Sequence, residues 1–188
     1  MADETAKEFV ALGDRASTFP SVDDPHRYTS ARIKSCRYET LAPLGAFTNL
    51  RSLEVSQYPD RTFEPLSTLV RLERLKIRHM PALEDLIGIE SLTALHYLYL
   101  ATLPSWDASG RVTVVRSLAP LADLPNLTTL RLFGVRPPDK RVDDLLRIGS
   151  LTDARISKYP RREIERLYAE VAERAATVGV AANRTDGP

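Results

Sequence analysis

Apolar residues along this chain recur in steps of three and then in a step of two. In LAPLADLPNLTTLRL, residues 118–132, Leu118, Leu121, Leu124, Leu127 and Leu130 are three apart, and Leu132 follows after two. A helix asks for a mean step of about 3.6 and a strand for two. A step of three fits a 3₁₀ turn, in which positions i and i+3 eclipse on one face. The closing L-x-L fits a short strand that buries one side and presents the other. Each such stretch therefore predicts a tight turn followed by a strand.

The pattern returns as LAPLGAFTNLRSLEV from Leu41, FEPLSTLVRLERLKI from Phe63, LIGIESLTALHYLYL from Leu86 and VDDLLRIGSLTDARI from Val142. A degenerate first copy, FPSVDDPHRYTSARI, starts at Phe19, and the start-to-start spacings are 22, 22, 23, 32 and 24. The six cores are Tyr28/Ala31/Ile33, Leu50/Leu53/Val55, Leu72/Leu75/Ile77, Leu95/Leu98/Leu100, Leu127/Leu130/Leu132 and Leu151/Ala154/Ile156. One such unit cannot bury its apolar side alone, so copies at this period stack into a solenoid. The expected architecture is an α/β solenoid: a right-handed coil with a parallel concave sheet of about six strands. Its convex side is made of 3₁₀ or short helical turns.

Solenoid ends expose apolar faces and need covers. RREIERLYAEVAERAA, 161–176, puts Ile164, Leu167, Tyr168, Val171 and Ala175 at helical spacing, as a C-terminal capping helix does. The expected division is an N-terminal cap over 1–18, repeats over 19–160, the capping helix over 161–180 and a flexible tail over 181–188. The 32-residue spacing reports an insertion at 103–117, since 18 residues separate Leu100 from Leu118 where neighbouring repeats use 8 to 10. It holds the only tryptophan, Trp106, then the turn signal Asp107-Ala108-Ser109-Gly110 and the strand-prone RVTVV. Either it projects from the rim as a binding loop, or Trp106 folds back to cover the core. RPPDKR at 136–141 is a smaller loop on the same rim.

These L-x-x-L-x-L cores resemble the leucine-rich repeat family, and specifically its 22-residue, internalin-like bacterial branch. The resemblance covers about three quarters of the chain, with LAPLADLPNLTTLRL its closest stretch. It implies a solenoid that binds other proteins. One departure stands out. The family places Asn, or sometimes Cys, three residues after the strand's last apolar position. That place holds Cys36, Tyr58, Met80, Leu103, Val135 and Tyr159 here. Bulky apolar residues, often followed by proline, thus replace a polar ladder, and Cys36 reads as structural.

Composition narrows the function classes. The chain has 188 residues, 43% of them hydrophobic, and a formal net charge of +1, so no overall charge pulls it toward nucleic acid or membrane. One cysteine excludes an intrachain disulfide and every multi-cysteine metal motif. The polar start MADETAKEF is no signal peptide and no run is long enough to span a membrane, so a cytoplasmic protein is expected.

The outward strand positions form the expected binding surface: Ser30, Arg32, Lys34; Ser52, Glu54, Ser56; Arg74, Lys76, Arg78; Tyr97, Tyr99, Ala101; Thr129, Arg131, Phe133; and Asp153, Arg155, Ser157. Seven of these are basic and two acidic, a local balance of +5 in a chain of +1. Two tyrosines beside arginines have the composition of an interface hot spot. The candidate partner-binding residues are Arg32, Lys34, Arg74, Lys76, Arg78, His79, Tyr97, Tyr99, Trp106, Arg131, Phe133 and Arg155. No catalytic, cofactor-binding or metal-binding residue is expected. The three histidines, His26, His79 and His96, show no ligand spacing, and the eight glycines form no phosphate-cradling loop.

The function expected is therefore a non-catalytic scaffold for an acidic protein partner, in one version a bacterial immunity or antitoxin-like protein. The alternative is nucleic-acid binding on the same face, against which Glu54, Asp153 and the near-zero total charge weigh. A self-assembling structural protein is a third class.

Overall fold

The computed structural model describes residues 7–184 apart from 104, 107 and 108, with side chains to residue 178. The period of three is a chain of backbone bonds. The N–H of Leu44, of Phe47 and of Leu50 each donates to the carbonyl three residues earlier, at 2.9 Å every time. Leu66, Leu69 and Leu72 repeat this in the next copy at 2.8, 3.0 and 2.9 Å. Each apolar residue of the run thus sits above the last and points into the core. The tight turns are 3₁₀ at Pro25–Arg27, Ala42–Ala46, Glu64–Leu66 and Ile89–Ser91. They widen to single α-helical turns at Ala119–Ala122 and Asp143–Leu146. Pro43, Pro65 and Pro120 open three of these turns, where the missing N–H costs no bond and φ is already set.

The strands are β1 (Lys7–Leu12), β2 (Tyr28–Lys34), β3 (Ser52–Ser56), β4 (Arg74–Arg78), β5 (Tyr97–Ala101), β6 (Thr113–Val114), β7 (Thr129–Phe133), β8 (Val135–Arg136) and β9 (Asp153–Ile156). One parallel sheet of seven strands runs in the order β1-β2-β3-β4-β5-β7-β9, and β6 pairs with β8 in a second, two-stranded sheet. The expected six strands become seven because KEFVAL, inside the N-terminal cap, joins the sheet as β1. From β2 to β9 the pairing is in register, Leu53 against Leu75, Leu75 against Leu98 and Leu98 against Leu130. The inward residues of β3, β4, β5 and β7 are at most 1% exposed.

The strand ends share a backbone device. Gly13, Ser35, Gln57, His79, Gly134 and Lys158 all have positive φ, and each sits at the turn directly after its strand's outward row. Neighbouring repeats are bonded there: the Gln57 N–H donates to the Arg78 carbonyl at 2.7 Å, and the His79 N–H to that of Ala101 at 2.8 Å. The next residues, Cys36, Tyr58, Met80, Val135 and Tyr159, are buried. Tyr58 donates its hydroxyl to the Thr62 carbonyl at 2.7 Å, and Tyr159 donates to that of Val135 at 3.1 Å. Leu103 of the insertion-bearing repeat is half-buried instead.

Both ends of the sheet are dressed. Phe9 packs on Phe19 and Phe47 with ring centroids 5.5 and 5.3 Å apart, and Phe19 continues to Tyr38 at 5.1 Å. At the other end a helix, Arg161–Arg184, buries Leu167 and Val171. The Tyr168 hydroxyl accepts the Ile156 N–H on β9 at 3.2 Å, and Arg174 donates to the carbonyls of Ile148 and Leu146 at 2.7 and 2.6 Å. The helix thereby occupies the first four residues of the stretch expected as a tail, and 185–188 lie outside the described residues, as do 1–6 of the N-terminal cap.

Candidate functional site: the outer face of the sheet

Because the strands pair in register, their outward side chains line up in rows across the sheet. One row reads Val10, Arg32, Glu54, Lys76, Tyr99, Arg131, Arg155. A second begins Leu12, Lys34, Ser56, Arg78, Ala101, Phe133. Seven strands at about 4.8 Å spacing give a face about 29 Å wide.

The basic half of this face centres on Glu54. Its carboxylate lies 3.4 Å from Lys76 Nζ, 3.5 Å from Lys34 Nζ, 3.7 Å from Arg78 and 3.8 Å from Arg32. Burial pushes the Glu54 pKa up, but Lys76 and Lys34 pull harder and it ends below the ordinary value. Arg32 also reaches Glu8 on β1 at 3.1 Å. An acid that interrupts the basic pattern in sequence is therefore its geometric hub.

The aromatic half follows without a gap. The Arg74 guanidinium lies over the Tyr97 ring at 4.5 Å, Lys76 Nζ over Tyr99 at 5.8 Å, and Tyr99 meets Phe133 edge-on at 5.7 Å. Arg131 is largely tied down, donating to the Asp153 carboxylate at 2.5 Å and to the Leu130 carbonyl at 3.0 Å. That bond holds the Asp153 carboxyl below its usual range. Arg155 lies 5.7 Å over the Tyr168 ring of the capping helix.

The structure therefore brings Arg32, Lys34, Arg74, Lys76, Arg78, Tyr97, Tyr99, Phe133 and Arg155 onto one face, with Arg131 lodged lower in it. His79 and Trp106 sit together on the rim beyond β4. Their rings meet edge-on at 5.0 Å, and the Arg111 guanidinium lies 5.9 Å from the Trp106 ring. Trp106 is half-buried there, outside the main core, so it covers His79 rather than the solenoid interior. Among the described residues His79 Nδ1 is buried without a hydrogen-bond partner, and burial lowers its pKa. The second part of the insertion is ordered as β6, whose Thr113 N–H donates to the Gly134 carbonyl at 2.8 Å. Asp107 and Ala108 of the turn signal lie outside the described residues. Around RPPDKR, Asp139, Asp143 and Asp144 line a cleft with Arg116 and Arg141, so that rim is mixed in charge.

Two placements differ from expectation. Ala101 points to the outer row but is only 4% exposed, set between Arg78 and Phe133. β1 adds Glu8, Val10 and Leu12 to the face, with Val10 and Leu12 exposed at 45% and 63%. The alternation in KEFVAL, with Phe9 and Ala11 inward, was the available signal; it lacked the repeat's leucines.

No protein-family model and no curated protein matches the sequence. Solved structures do. The chain is similar to the internalin inlF of Listeria monocytogenes at 18% identity and a TM-score of 0.55, over 75% of this chain and 45% of that one. It is similar to internalin C2, inlC2, of the same organism at 18% identity and a TM-score of 0.51, over 75% of this chain and 58% of that one. The fold is a leucine-rich-repeat solenoid. The chain spans about half the length of these two structures, and at this identity the likeness is one of fold. Among the described residues no helix is long and apolar enough to cross a membrane, and no cluster of histidine, cysteine and acidic residues is placed to hold a metal.

Proposed function

We propose that this protein is a non-catalytic interaction module that seats an acidic protein partner on the outer face of its sheet. One observation carries the reading: four cations gather around a single carboxylate directly beside a half-buried aromatic run on the same face, Tyr97, Tyr99 and Phe133. Aromatic and arginine side chains supply contact area at hot spots, and unbalanced cations steer an acidic surface into place. A face about 29 Å wide accommodates an interface of standard size. We further infer that the repeats belong to the internalin-like 22-residue class, with the buried Cys36, Tyr58, Met80, Val135 and Tyr159 in place of an asparagine ladder. One form of the functional reading is a bacterial immunity- or antitoxin-type protein.

Glu8, Glu54 and Asp153 lie scattered among the cations, an arrangement that disfavours the evenly spaced phosphates of a nucleic acid. The test is capture of a partner by wild-type chain and by Arg74→Glu/Lys76→Glu/Arg78→Glu. The reading expects the triple variant to lose the partner. Undiminished capture places the interface elsewhere. A mobility-shift titration with a steep salt response would instead select nucleic acid.

A further inference from the structure

The cluster on β2–β4 holds more positive charge than Glu54 neutralises, and its geometry leaves that excess open. All four cation–carboxylate separations, 3.4 to 3.8 Å, are longer than a charged hydrogen bond of about 2.7–2.9 Å. The Glu54 side chain is 21% exposed at the bottom, and those of Arg32, Lys34, Lys76 and Arg78 are 33–46% exposed around it. The other outward residues of β3 are Ser52 and Ser56, so the strand forms a low floor between two basic walls. Ser56 lies in register between Lys34 and Arg78, with its hydroxyl on the same side.

We propose that this trough over β3 is a subsite for a doubly charged oxyanion on the partner, either a phosphoryl group or two adjacent carboxylates, with Glu54 as an internal counter-ion displaced on binding. The inference rests on the outer-face reading above and deepens it. Four cations less two carboxylates, Glu54 and the Glu8 that sits on Arg32, leave a local charge of +2, which a dianion neutralises and a single carboxylate reduces only to +1. Glu54 meanwhile repels any anion that enters, so binding requires a charge strong enough to take its cations from it. A singly charged or neutral segment does not meet that requirement.

The test uses the full chain and four probes: inorganic phosphate, and short peptides alike except for a central phosphoserine, Asp-Asp or Ser-Ser. Binding is read by calorimetric titration at fixed ionic strength, beside circular dichroism to confirm folding. Glu54→Gln tightens the dianionic probes by about tenfold, the size of one modest like-charge repulsion removed, and gains nothing for Ser-Ser. Lys34→Met/Arg78→Met abolishes the binding. Ser56→Asp, which adds a carboxylate to the floor, weakens it by a similar factor and carries the test should Glu54→Gln not fold. Preference for phosphoserine and free phosphate assigns the site to phosphoryl groups, and preference for Asp-Asp assigns it to paired carboxylates. Unchanged or weaker dianion binding in Glu54→Gln, an equal gain for Ser-Ser, or no binding of any charged probe to wild type overturns the subsite. A partner lost by the triple reversal yet indifferent to Glu54→Gln keeps the face and removes the subsite.

Discussion

Gly88 is the position at which one methyl group should matter most. It has φ +95°, in the left-handed region that side chains rarely adopt. A Cβ there would lie 2.4 Å from the Glu64 nitrogen, 2.5 Å from the Phe63 carbonyl carbon and 2.7 Å from the Glu64 Cα. All three are backbone atoms of the preceding repeat. They are fixed because the Phe63 N–H donates to the Ile87 carbonyl at 2.8 Å, one residue from the glycine. Gly88→Ala must therefore bear the left-handed penalty of about 1–2 kcal/mol. It must also push two repeats apart, an overpacking cost of about 1–3 kcal/mol. A total near 3 kcal/mol lowers the midpoint by roughly 10 °C in a domain of this size. Gly149→Ala is the control, since that glycine is exposed and its Cβ would meet nothing within 4 Å. Urea and thermal unfolding followed by far-ultraviolet circular dichroism read both. If Gly88→Ala unfolds with Gly149→Ala, within about 0.5 kcal/mol, the claim of backbone contact between these repeats is wrong.

Tyr58→Phe should cost about 1 kcal/mol in the same assay, because it leaves the Thr62 carbonyl without its donor. Tyr58→Asn, the residue a polar ladder would carry, should cost more, because it also empties the fully buried ring site stacked on Phe63; equal stability of the two variants would show that packing does not decide this position. Asp153 supplies a pH test. Its folded pKa lies below the unfolded value of about 3.9, so its contribution is complete above that pH and lost as pH falls through the folded pKa. Wild type should therefore lose stability more steeply below about pH 4 than Asp153→Asn. Superimposable acid limbs would mean that the Arg131 bond adds nothing to folding.

The repeat was legible in the sequence because its copies place the same kind of aliphatic residue in the same surroundings. Leu44, Leu66, Ile89, Leu121 and Leu145 are buried on equivalent turns, so burial selects leucine or its isomer each time. The basic and aromatic face was legible for a related reason: alternation along a strand dictates which residues turn outward. What joins those residues was not. Parallel register sets Glu54 between Arg32 and Lys76, and side-chain length lets Lys34 and Arg78 reach it diagonally, relations that no single repeat displays. β1 was hidden because aromatic packing by Phe9, Phe19 and Phe47 closes its side of the core in place of leucines. The left-handed residues at Ser35, Gln57, His79 and Lys158 share no residue type, so their common backbone role left no pattern to read. The meeting of Trp106 with His79 joins the insertion to the preceding repeat and likewise has no local sign.

The outer-face assignment is tested most directly by hydroxyl-radical footprinting of the chain with its captured partner. Tyr97, Tyr99 and Phe133 should be protected on binding, while Val70 and Ile87, which are exposed outside the strands at 50% and 42%, should react as in the free chain. Protection of Val70 and Ile87 with the three aromatic rings unchanged would contradict the account.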